Sequence, residues 1–314
     1  MDFPAELSWD DVATVDVPLG AEALDLAATL DCGQAFRWSA DETDQKAWVG
    51  VLHDRAYRLQ ILDGGLSARV FPDLPRTDVV TQLRRYFALD VRTESILSKI
   101  SAAHPSAAAA VNELPGLRVL RQPASEALLS FAIASATNVP RIRRSISRMS
   151  ACYGQPIGRI DGRDFLAFPS AESLATAPSA DLSGPCNLAY RASHLQNTAR
   201  VVIERGNDWL EGLAQRSYLD AHTSLDELPH IGPKIADCIC LFGLGFHQAV
   251  PVDVHVWAIA RDLFGDRIPT QTLTPATYRA VGDMFREMFG PHAGWAQQYL
   301  FTARRARPRH HRPY

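Results

Sequence analysis

Short apolar runs, rather than helical stripes, dominate the first part of the chain. Residues 15–19, 24–30, 47–52, 56–62 and 66–71 are such runs, and His53-Asp54-Arg55 reads as a polar turn between two of them. An antiparallel sheet is the natural way to pair them. From about residue 77 the period changes. Val79, Leu83, Tyr86 and Phe87, then Ile96, Leu97 and Ile100, recur at helical spacing, and residues 126–135 read as a buried helix. An alanine tract at 107–110, with Pro105 and Pro115 nearby, places a boundary near residue 113. The pattern predicts an α+β architecture. Residues 1–112 form a β-rich domain with following helices, residues 113–303 a helical domain, and residues 304–314 a basic, flexible tail.

The stretch 217–264 carries the densest local signals. Ser217 followed by Asp220 caps a helix running to about Leu228, and Pro229-His230-Ile231-Gly232 makes a tight hairpin. Pro233 opens a second helix, where its missing N–H costs nothing. The residue before Pro251 is pushed to an extended conformation, and Asp253 then stands at the N-cap of an apolar, helix-spaced run that includes Val254, Trp257 and Leu263. Lys234 falls in the first turn of the second helix, where the dipole disfavours a positive charge. Only three of the 32 basic residues are lysines, namely Lys46, Lys99 and Lys234. Arginine is the default cation here, so a lysine at this position points to an amine being wanted for its chemistry.

Composition narrows the setting without deciding it. A chain of 314 residues can hold two or three domains, and a net charge of -3 does not advertise nucleic-acid binding. A hairpin that grips phosphate through backbone amides needs few basic side chains, so DNA remains open as a partner. The five cysteines (Cys32, Cys152, Cys186, Cys238, Cys240) are scattered, and no signal peptide or membrane span is evident. A reduced, cytoplasmic protein is expected, nucleoid-associated if bacterial and not secreted, with no membrane partner. The four-cysteine spacing of an iron–sulfur site is absent, so no cluster or other cofactor is expected.

Residues 228–241, Leu-Pro-His-Ile-Gly-Pro-Lys-Ile-Ala-Asp-Cys-Ile-Cys-Leu, and 248–255, Gln-Ala-Val-Pro-Val-Asp-Val-His, resemble the helix-hairpin-helix DNA glycosylase superfamily. Within it the match is to the Ogg-type 8-oxoguanine DNA glycosylase/AP lyases. Residues 31–38, Asp-Cys-Gly-Gln-Ala-Phe-Arg-Trp, are similar to the family's Gly-Gln-Ser-Phe-Arg-Trp element, and residues 187–192 to its Gly-Tyr-Arg-Ala element. Residues 294–301 supply a further segment of the same kind. The resemblance implies Lys234 as nucleophile and Asp253 as its electrostatic partner. It implies that Gly33 offers a carbonyl to the N7–H that only the oxidised base carries, that Cys238 and Phe301 sandwich the extruded base, and that Gln297 reads its Watson–Crick edge. On the DNA side it implies Asn138, Arg141 and Arg191 near the unpaired cytosine and Tyr190 as the wedge. His230, Gly232, Ile235 and His255 would meet phosphates. The partner is damaged double-stranded DNA, and the protein is expected to act as a monomer.

Among the departures from the family pattern, four stand out, and of the three asparagines only Asn138 is retained. Ala136 replaces the first of three asparagines, Ala189 a glycine, His230 the usual hairpin glycine, and Arg304 an aspartate that neighbours the histidine matching His255. These departures keep two rivals in view: a glycosylase for a broader set of purine lesions or alkylated bases, and a non-catalytic hairpin protein that only docks on DNA.

Overall fold

The computed structural model describes residues 6–268 and 272–306, so most of the tail, residues 307–314, lies outside the described residues. Strands β1 (Thr14–Val17), β2 (Trp38–Ala40), β3 (Ala47–Leu52), β4 (Arg55–Leu62) and β5 (Gly65–Phe71) form one antiparallel sheet in the order β1-β5-β4-β3-β2. Leu59 lies opposite Ala68 across β4 and β5, and in β5 Leu66, Ala68 and Val70 are the buried set. That period of two directs one face of the sheet onto α2 (Arg76–Tyr86), where Val79, Leu83 and Tyr86 complete a core.

One apolar run takes a different form from the strand pattern. Within residues 24–30 lies α1 (Leu26–Leu30), because Asp25 accepts from the Ala28 amide at 2.9 Å and nucleates a turn. The other runs are strands, and 107–110 sits inside a helix begun by Pro105.

The remaining helices are α3 (Thr93–Ala103), α4 (Pro105–Glu113), α5 (Ala124–Ala132), α6 (Val139–Tyr153), α7 (Ala171–Thr176), α8 (Ser179–Ser183), α9 (Arg191–Arg205) and α10 (Asn207–Gly212). They continue with α11 (Tyr218–Asp226), α12 (Pro233–Phe242), α13 (Val254–Phe264), α14 (Pro275–Phe289) and α15 (Ala293–Ala306). Their core is centred on α12, whose Ala236, Ile239, Cys240 and Leu241 are fully buried, with Phe242 stacked on Phe131 of α5. Ile96 and Ile100 of α3 and Ala107 and Ala110 of α4 belong to this helical core.

The helical half also contains a hairpin, β6 (Pro156–Ile160) and β7 (Arg163–Leu166), so it is not all helix as its periodicity suggested. Ile157, Ile160 and Phe165 pack on Val49 and Val51, covering the face of the first sheet that α2 leaves open. That is why β3 is buried at every position.

A polar seam fixes the first domain against the second. Buried Gln34 donates to the carbonyls of Thr29 at 2.9 Å and Arg118 at 2.8 Å, and its Oε1 accepts from the Leu120 amide at 2.9 Å. Gln122 donates to the Gln34 carbonyl at 2.7 Å. The loop carrying Gly33 is therefore held from both sides, with every polar group of the Gln34 side chain satisfied.

Candidate active site

Ser217 caps α11 by accepting from the Asp220 amide at 3.1 Å, and the turn after α11 delivers Pro233 to the first position of α12. Lys234 follows, half-buried. The N-cap Gly232 has no capping side chain, and the amides of Gly232 and Lys234 carry no intramolecular hydrogen bond among the described residues. This helix start can receive an anion. Ile235 was expected to help, but its amide is already bonded to the Gly232 carbonyl at 2.9 Å.

Behind α12 lies a buried carboxylate. Asp237 accepts from the Tyr218 hydroxyl at 2.6 Å and from the Tyr278 hydroxyl, with His222 Nε2 3.7 Å away. Burial pushes its carboxyl up, against the pull of His222 and the two phenols. Tyr278 also meets the Val252 amide at 3.5 Å, tying the lysine helix to the extended segment before Asp253. Asp253 then caps α13, its Oδ1 accepting from His255 at 2.9 Å and Val256 at 2.8 Å. Both bonds fall on Oδ1.

These two helix starts open on one cleft of about 1360 Å³, which Gly33, Cys238, Gln297 and Phe301 also line. Gly33 has φ +94°, and a Cβ there would stand 3.0 Å from Val139 and 3.1 Å from the Arg305 guanidinium. No other residue type suits that backbone without strain. Cys238, one turn beyond Lys234, is buried, which pushes its thiol up to about 11. It is a neutral, soft surface. Gln297 is buried as well, and its Oε1 has no partner among the described residues. An unpaired buried acceptor costs stability, so its retention fits a donor arriving from a ligand. Phe301 is braced by the edge of His255, ring centroids 5.8 Å apart, and by Arg305 at 5.4 Å from its centroid. Sequence reasoning missed Arg305, which also donates to the Cys32 carbonyl at 3.1 Å; nothing local marks it, since only the fold carries α15 to the Gly33 loop.

The expected DNA side is more divided. Asn138 caps α6, accepting from the Arg141 amide at 3.0 Å. The arginines of α6 separate into two groups: Arg143 pairs with Asp31 at 2.6 Å and Arg148 donates to Pro185 at 3.3 Å, while Arg141 and Arg144 line a second, smaller groove. Tyr190, the expected wedge, is 55% exposed before α9. Arg191 is different: its guanidinium is buried, donating to the carbonyls of Ser135 at 2.8 Å and Ala136 at 2.9 Å. It holds the turn before α6 rather than extending as a free arm. Arg304 pairs with Asp262 at 2.6 Å, across α15 and α13.

Among the described residues, no group of three or more histidine, cysteine or acidic side chains could hold a metal ion, and no helix is long and apolar enough to cross a membrane.

A β domain fused to a helical body, with a lysine at the start of the hairpin's second helix and an aspartate capping the next one across a cleft, defines a helix-hairpin-helix DNA glycosylase fold. Residues 16–128 match the family described as 8-oxoguanine DNA glycosylase, N-terminal domain. The Arabidopsis thaliana protein named N-glycosylase/DNA lyase OGG1 is 31% identical over 283 residues, spanning 89% of this chain and 77% of that relative. The Saccharomyces cerevisiae N-glycosylase/DNA lyase is 28% identical, spanning 88% of this chain and 82% of that relative. The Clostridium acetobutylicum 8-oxoguanine glycosylase/lyase, solved with double-stranded DNA containing cytosine opposite 8-oxoguanine, superposes with a TM-score of 0.80 at 25% identity and covers 97% of this chain and 99% of its own. The chain belongs to the Ogg-type family of 8-oxoguanine DNA N-glycosylase/DNA lyases.

Proposed function

We propose that this protein removes 8-oxoguanine from double-stranded DNA in base excision repair, preferably opposite cytosine, and then cleaves the strand by β-elimination. The observation that carries the reading is the cleft itself. It places Lys234, Asp253, Cys238, the Gly33 loop and an unpartnered Gln297 oxygen around one space, although Gly33 and Phe301 lie at opposite ends of the sequence.

The neutral Lys234 amine attacks C1′ of an extruded nucleotide, and the electrons of the breaking glycosidic bond leave with the base. Opening of the sugar gives a Schiff base, whose electron-withdrawing character permits loss of the C2′ proton and then of the 3′ phosphate. Asp253 stabilises the positive charge that develops on the sugar. Gly33 accepts the N7–H of the lesion, which guanine lacks, so discrimination rests on an unmade hydrogen bond. Cys238 and Phe301 hold the two faces of the base and Gln297 pairs with its edge.

Opposite the lesion, Arg141 is an exposed cation that shares a groove with Asn138, and Tyr190 fills the stack from which the base has left. Preference for cytosine depends chiefly on Arg141, because Arg191 is committed to the Ser135–Ala136 turn and Ala136 brings no side-chain amide. The enzyme acts as a cytoplasmic monomer.

The test is borohydride trapping on duplexes carrying one 8-oxoguanine opposite each of the four bases, with Lys234→Gln as control. A covalent adduct that requires Lys234 and is strongest opposite cytosine is expected. Adduct formation indifferent to the opposite base would keep the lysine chemistry and remove the cytosine preference. Binding without adduct or released base would leave only a DNA-docking protein.

A further inference from the structure

His194 and His230 stack face to face, with ring centroids 3.8 Å apart and planes 8° from parallel. Tyr190 meets His194 edge-on at 5.4 Å, so three rings make one row from the wedge to the hairpin. His230 belongs to the turn that leads to the uncapped start of α12, and it holds φ +65°, a conformation that costs a side chain about 1 kcal/mol. Asn197 of α9 anchors the ring, its amide nitrogen 3.4 Å from His230 Nε2, while Arg200 donates to the Asn197 oxygen at 3.1 Å. An imidazole retained at a strained position, stacked on a second imidazole beside unpaired amides, is arranged for an anion.

We propose that the His194–His230 pair is a proton-gated clamp for a DNA backbone phosphate, seated beside the Gly232 amide on the hairpin. This rests on the DNA-binding reading above and extends it. Arg191 acts on His194, Arg200 bonds the Asn197 that meets His230, and no carboxylate pairs with either ring among the described residues. In the free protein the pair therefore has no counter-ion. Burial first, then His230 and Arg191, hold the His194 imidazole below its ordinary range. A phosphate reverses the balance by supplying negative charge, so one imidazole takes up a proton as DNA binds. Repulsion across 3.8 Å opposes a second proton. A charge-assisted N–H to phosphate bond is thus made at acid and neutral pH and lost as pH rises through the value set in the complex.

The experiment measures duplex affinity of the full chain against pH and salt, using a duplex with a non-cleavable tetrahydrofuran abasic analogue opposite cytosine. From about pH 5.5 to about pH 8.5 the wild type should lose about tenfold in affinity, and its log–log salt slope should fall by about 0.9. His230→Gly relieves the backbone while removing the ring, and His194→Phe keeps a stacked ring that cannot titrate. Either ring left alone can still take a proton, so the double variant is the decisive one, and it should show a flattened pH profile and the shallower slope at every pH. A double variant that titrates like the wild type would overturn the clamp while leaving DNA binding intact. Wild-type protein that bound no duplex at any pH would remove the DNA-binding reading and the clamp with it.

Discussion

Ala136, Ala189 and His230, the three motif departures that sit in turns, have φ of 49°, 52° and 65°. All are in the left-handed region, which explains the residue types the family pattern has there: glycine has no Cβ to clash, and asparagine tolerates the conformation. Ala189 gains nothing visible for its strain, whereas His230 gains a stacked partner. Ala189→Gly should therefore raise stability by about 0.5 to 1 kcal/mol in urea unfolding, the relief of strain outweighing the added freedom of glycine in the unfolded chain. No gain, or a loss, would mean that the Ala189 methyl packs more favourably than its backbone is strained. The same scale explains Arg191, whose exposure and partners no motif could reveal.

At the scale of the element, α12 and α13 bring Lys234 and Asp253, the residues of the proposed chemistry, to their first turns because caps and prolines start them there. Asp253 holds the α13 amides through Oδ1, and the proposed mechanism gives it a second duty, offering charge to the cleft. Asp253→Asn separates them, since an amide oxygen still caps. Stability should change by less than about 1 kcal/mol, while single-turnover base release falls by about a hundredfold or more. Comparable losses of folding and of rate would make the residue a cap alone. The Asp237 cluster works at this scale too, joining α11, α12 and α14 so that the lysine helix and the Asp253 segment keep one geometry.

At the scale of the whole molecule, two bodies must stay in register for Gly33 to face Gln297. Arg118 is fully buried at that seam, 2.7 Å from Glu22, and it donates to the carbonyls of Phe87 at 3.1 Å, Val91 at 3.0 Å and also Ala88. Burial would raise the Glu22 carboxyl, but hydrogen bonds from Thr93 and the Arg118 guanidinium outweigh it and hold the group below its ordinary 4.5. Because the folded value is the lower one, Glu22 contributes stability above its unfolded range, and that contribution disappears as pH falls through the lowered value. Glu22→Gln should cost about 3 kcal/mol at neutral pH by leaving a buried guanidinium without its counter-charge. Its deficit against wild type should shrink toward acid pH, measured by urea unfolding. A deficit constant with pH would assign the effect to packing.

The sequence by itself determined what is decided within a few residues. Caps at Ser217 and Asp253, Pro233 at a helix start, the period of two in β5 and the motif residues were legible because local hydrogen bonds and turn sterics act over one or two turns. A short apolar run suits a strand or a helix equally, and what makes α1 a helix is the Asp25 cap within that run, which the apolar pattern alone does not reveal. The β6–β7 hairpin was hidden in the helical half because its partner is a sheet face built from residues about a hundred positions earlier. Only the tertiary structure decided which arginines are spent inside the protein, which amides of the hairpin stay free, and that two histidines from α9 and the hairpin meet. Those outcomes are settled by burial and by distances between segments remote in sequence, where the desolvation of a charge outweighs any local preference.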